Sequence, residues 1–129
     1  MNKKGFTLIE LILALVIMSL IILIIVPNVF VILNKSNEKA CNSLVNNIES
    51  ATKMYVTNNK YNLGFTCDGT VNITLQTLID SGDLSTDSSG KIINPINDTE
   101  VSLTSAVSVT YNCNNNTFTY VVNGIDCTK

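Results

Sequence analysis

Two patterns of apolar and polar positions divide this chain of 129 residues. From Phe6 to Leu33 the run FTLIELILALVIMSLIILIIVPNVFVIL is apolar almost throughout, and Glu10 is its one charged residue. Roughly 20 consecutive apolar residues cross a bilayer as a helix, so the run is long enough to span one. Past it, Cys41, Leu44, Val45, Ile48, Ala51, Tyr55 and Val56 recur at spacings of three and four, the signature of a helix that buries one stripe. Lys35, Glu38, Lys39, Glu49 and Lys53 fall mostly off that stripe. One helix is therefore predicted from Phe6 to about Asn58, apolar all round in its first half and amphipathic in its second. The first half has no core of its own. Water penalises so much exposed apolar surface, which places that half in lipid or among identical neighbours.

The remaining residues, about 60–129, are rich in Asn, Thr, Ser and Asp. Asn58-Asn59 and the stretch from Asn62 to Gly64 are turn formers that end the long helix. A short helix is predicted from Leu75 to Ser81, with Thr74 as N-cap and Gly82 just past its end. The segment DLSTDSSGK reads as a surface loop. Strands are expected at about Val101 to Thr104, Ala106 to Asn112 and Thr117 to Val122. The last two form a hairpin, because Val107, Val109 and Tyr111, then Phe118, Tyr120 and Val122, alternate with polar residues around an Asn-rich turn. The predicted fold is α+β: a long N-terminal helix whose amphipathic half packs on a small antiparallel sheet. Pro27 interrupts the apolar half, since it lacks an N–H and its ring crowds the preceding turn, and a bend near Val26 is expected.

Charge placement sets the orientation. Lys3 and Lys4 precede the apolar run, and positive residues stay on the cytoplasmic side, so everything beyond Leu33 is expected outside. A secretory signal would have an apolar region of about 7 to 15 residues and a small-residue cleavage site. This run continues to Leu33 without one. A plain membrane anchor explains the length, yet not an acid four residues in, which is costly unless it is shallow or paired.

The block GFTLIEL, Gly5 to Leu11, resembles the class III leader junction of type IV prepilins and of the pseudopilins of type II secretion and competence systems. The resemblance covers residues 1–33 and implies the following layout: a leader at 1–5, a transmembrane and assembly helix at 6–33, its amphipathic continuation at 34–59 and a globular head at 60–129. It implies cleavage by a prepilin peptidase between Gly5 and Phe6, with N-methylation of the new terminus at Phe6. Loss of Lys3 and Lys4 would take the side chains from 8 basic against 10 acidic to 6 against 10. Glu10 lies four residues from Phe6, on the same face one turn away. The family resemblance assigns such an acid to the N-terminus of an adjacent subunit during assembly, and it assigns the segment around Pro27 a tendency to unwind in filaments. The implied function is a structural subunit of an extracellular type IV pilus. It is stored as a single-pass precursor in the cytoplasmic membrane, then assembled with its own copies by the pilus machinery. A pseudopilin is the alternative, and a binding module anchored by its helix a more distant one. The lack of Arg beside abundant Lys, Asn and Ile fits an AT-rich, clostridium-like Gram-positive genome.

Cys41, Cys67, Cys113 and Cys127 form an even set beyond the membrane segment, and an oxidising exterior favours two disulfides in a small head. Four cysteines allow three connectivities. The resemblance favours Cys113 with Cys127, leaving Cys41 with Cys67. Hairpin geometry pulls against this, because Cys113 sits at the turn and Cys127 follows the far end of the partner strand, so the pairing stays open. No C-x-x-C spacing supports a zinc site. Asp80, Asp83, Asp87 and Ser89 invite a calcium reading, but they do not follow an EF-hand spacing and read better as turn residues. No metal or cofactor is therefore assigned. The chain has no His, so histidine-based triads are excluded, and no catalytic residue is assigned. A pI near 4.9 with scattered lysines argues against nucleic acid. The sequons at Asn34, Asn72, Asn97 and Asn115 are weak signals in so Asn-rich a composition and receive no role.

Overall fold

The computed structural model describes residues 4–128, so Lys3 of the orientation argument lies outside the described residues. Its elements are α1 (Leu8–Asn59), β1 (Thr70–Thr74), α2 (Leu75–Asp80), β2 (Ile93–Asn94), β3 (Thr99–Glu100), β4 (Ala106–Asn112) and β5 (Thr117–Val122). The chain divides into two compact units, one reaching Ser36 and the other beginning at Asn37.

The first unit is the apolar half of α1. Its described residues are all exposed, the large apolar ones from 43% at Val29 to 91% at Phe6, so none of them is buried in a core. Its polar side chains are satisfied locally: Ser19 Oγ donates to the Val16 carbonyl at 2.7 Å, and Asn28 Nδ2 to that of Ile24 at 3.2 Å. Such back-bonding lets polar residues ride in an apolar helix at low cost. α1 continues past Pro27, which withholds the amide that the carbonyl four residues earlier would receive.

The second unit holds the core. Ile48, Ala51 and Val56 of α1 pack with Ile73, Leu75, Leu78, Val107 and Val109. The predicted stripe is correct, with one addition: Thr52 is fully buried on it, and its Oγ1 donates to the Ile48 carbonyl at 2.7 Å. That bond removes the cost of an unpaired hydroxyl.

The sheet order is β1-β4-β5, antiparallel throughout, with Ile73 opposite Val107, and Val109 between Val71 and Tyr120. The hairpin strands fall where the alternation placed them. Two expectations change. β1 was not expected: TVNIT does alternate, but Thr74 closes the strand and caps α2 at once, accepting from the Thr77 amide at 3.2 Å, so strand and helix share a residue. Val101 to Thr104 is not a strand. Only Val101 behaves as expected, buried and donating its amide to the Ile92 carbonyl at 2.8 Å beside the short β2–β3 pair, after which Ser102 to Ser105 turn sharply.

Two disulfides close the head, Cys41–Cys127 and Cys67–Cys113. The pairing that the resemblance favoured is not formed. The hairpin turn carries Cys113 to Cys67, which precedes β1, while the chain after Gly124 brings Cys127 to α1. The buried Asn94 donates to the Asp126 carbonyl at 3.2 Å, holding that tail in place.

Candidate functional site

The N-terminus of α1 explains why an acid stands at residue 10. The first amides of a helix have no intrahelical acceptor, and Thr7 and Glu10 answer that need reciprocally. Thr7 Oγ1 accepts from the Glu10 amide at 3.3 Å, while Glu10 Oε2 accepts from the Thr7 amide at 2.9 Å and the Thr7 hydroxyl at 3.1 Å. This is a capping box, with Thr7 as N-cap and Glu10 at the third helical position. The helix dipole also favours a carboxylate in the first turn. The carboxylate is thus turned back toward the Gly5–Phe6 junction by its own chain. Thr7 was not singled out from the sequence, although T-x-x-E before an apolar run is the recognised signature of such a box.

Gly5 has open space on every side, with nothing within 4 Å of where a Cβ would stand. The fold therefore does not demand glycine there. Phe6 is almost fully exposed, and Phe6, Thr7 and Glu10 form one short polar-edged entry to an apolar helix. Pro27 and the four cysteines lie elsewhere and take no part in it.

The acidic residues of the head serve their own loops. Asp87 Oδ1 accepts from the amides of Lys91 at 2.8 Å and Ser89 at 3.0 Å, and from the Ser89 hydroxyl at 2.7 Å. Those donors, the Lys91 amide first, hold its carboxyl below the usual carboxylate range. Asp83 accepts from the Ser81 hydroxyl at 2.7 Å and Asp80 from Gln76 at 2.8 Å. The cluster considered for calcium is a set of turn and helix-end residues. Lys91 is raised above its ordinary value chiefly by its hydrogen bond to Glu100, at 2.9 Å.

Residues 1–26 match the family described as the prokaryotic N-terminal methylation motif, which is the segment that carries this entry geometry. That motif and the relative below support a likeness to the type IV pilin family. It is 36% identical over 55 residues to a ComG operon protein 3 homolog from Bacillus licheniformis, an alignment covering 43% of this chain. The chain spans 57% of that relative's own length. No solved structure matches it. Members of the pilin family, pseudopilins included, are structural subunits rather than enzymes. Their layout of one apolar N-terminal helix and a leader fits a single-pass membrane protein, and α1 is long and apolar enough to cross a membrane.

Proposed function

We propose that this chain is the structural subunit of an extracellular type IV pilus. A prepilin peptidase cuts between Gly5 and Phe6, and the mature chain polymerises through the apolar half of α1. The exposure of that half carries the reading: a bilayer covers it before assembly, and the same residues of neighbouring copies cover it afterwards. Glu10 has two partners in turn. In the precursor its carboxylate takes the Thr7 amide and hydroxyl. After cleavage the Phe6 ammonium becomes available one turn away, its own or a neighbour's, and a charge entering a packed apolar bundle is tolerable only with such a partner. Pro27 gives the helix a place to bend or unwind on assembly.

The likeness to a ComG operon protein 3 homolog favours a second reading, a pseudopilin that forms a shorter assembly for secretion or competence. Intact mass and N-terminal sequence of material sheared from cells test both. Long fibres containing chain that begins at a methylated Phe6 support the pilus. Processed chain without long fibres supports the pseudopilin, and chain retaining Met1 sinks the leader assignment.

A further inference from the structure

The hydrogen-bond phase of the sheet fixes what its outer edges offer. The Asn123 amide donates to the Ala106 carbonyl, whereas Tyr111 exchanges bonds on its other side, donating to Gly69 and accepting from Asp68. Antiparallel pairs alternate between bonded and non-bonded. With the register of β4 on β5, it follows that Thr117, Thr119 and Val121 bond to β4, while Phe118, Tyr120 and Val122 point their N–H and C=O groups away from the sheet. The same alternation on β1 leaves Thr70, Asn72 and Thr74 pointing outward. Among the described residues no turn or loop backbone group bonds to either set, and of these groups the Thr74 carbonyl already serves the first turn of α2.

Proteins usually guard such an edge with lysine, proline, a bulge or a covering segment. β5, with the sequence TFTYVV, has no charge, proline or bulge. We infer that β5 pairs with the β1 edge of a second copy, so that heads in the assembly share a continuous sheet. This rests on the filament reading, which supplies neighbours at high effective concentration. The two edges differ, and joining unlike edges is a head-to-tail contact that can propagate; β5 against β5 would close into a pair and stop. The backbone groups supply the affinity, as in strand addition generally.

Amide exchange on the processed chain beginning at Phe6, compared between detergent-solubilised monomer and assembled fibres, tests this. Assembly should slow exchange at Phe118, Tyr120 and Val122, and at Thr70, Asn72 and Thr74, by at least about tenfold. Thr119 and Val121, already bonded to β4, should change little. Fibres in which the six amides exchange as in the monomer would overturn the shared sheet and leave the filament reading standing. Failure of the wild-type chain to self-associate at all, seen as absence of fibres, would overturn both. Protection confined to β5 would overturn the β1 partner. Val121→Lys puts a guarding charge on the solvent face of the edge and should reduce the added protection in chains that are still cleaved; unchanged protection would count against the proposal.

Discussion

From Leu8 to Ser36 α1 exposes every side chain, whereas from Asn37 to Asn59 the same helix buries Cys41, Ile48, Ala51, Thr52 and Val56. Both stretches are helical and both are rich in apolar residues. The difference lies in what completes them. The second stretch finds its partner in β1, β4 and α2 of the same chain, so its order is intrinsic. The first leaves its apolar side chains exposed among the described residues, and helical propensity alone would leave an isolated segment marginal in water. One helix thus joins a part whose stability belongs to the fold and a part whose stability belongs to the surroundings.

The sharpest way to break that division is at Glu10. Glu10→Gln should be inserted and processed but yield few or no fibres when it is the only subunit, counted by microscopy of sheared material. Wild-type fibre levels would mean that the charge does not register neighbours. Thr7→Ala, which removes the cap while keeping the acid, should be milder.

The disulfides come next and act on the head alone. Replacing either pair by serine should cost about 2 to 5 kcal/mol in denaturant unfolding. Cys41–Cys127 spans 86 residues and Cys67–Cys113 spans 46, so loop-closure entropy makes the longer bridge worth about 0.6 kcal/mol more. A larger loss from the shorter bridge would contradict this ordering.

Ile48→Ala and Ile22→Ala sharpen the comparison directly. Ile48 is fully buried and its truncation should destabilise the head by about 2 to 5 kcal/mol. Ile22 is 57% exposed and its truncation should leave the unfolding of the head within about 0.5 kcal/mol of wild type. Equal losses would show that the two stretches are not independent.

The smallest effect is a pH dependence at Asp87. Its folded carboxyl titrates below the unfolded one, so its contribution is present above the ordinary carboxylate range and fades as pH falls through the folded value. Asp87→Asn should flatten the acid limb of the head's stability slightly, measured by midpoint shifts below about pH 4.

The apolar run, the stripe from Cys41 to Val56, the cap at Thr74 and the two hairpin strands were legible because each is a local periodicity or a local hydrogen bond. β1 was obscured where one residue served two elements, and Val101 misled because a buried valine beside a two-residue ladder looks like a strand. The cysteine pairing could not be read from spacing, since it depends on where the chain after Gly124 returns. At the site, Gly5, Phe6 and Glu10 stood out as a break in the apolar pattern. Thr7 was passed over, although the T-x-x-E spacing to Glu10 carried the signal, because Glu10 was weighed only as a charge in an apolar run and not as a partner for the helix's first amides.

The Cys41–Cys127 bond also has a mechanical meaning. It joins two Cα atoms 5.6 Å apart across 86 positions of sequence, a stretch that would extend to about 280 to 310 Å if pulled straight. A pull applied between the start of α1 and the segment after Cys127 passes through the sulfurs and never reaches the sheet. That length of contour stays stored under tension for as long as the bridge is oxidised, and a reducing environment would make it available as slack.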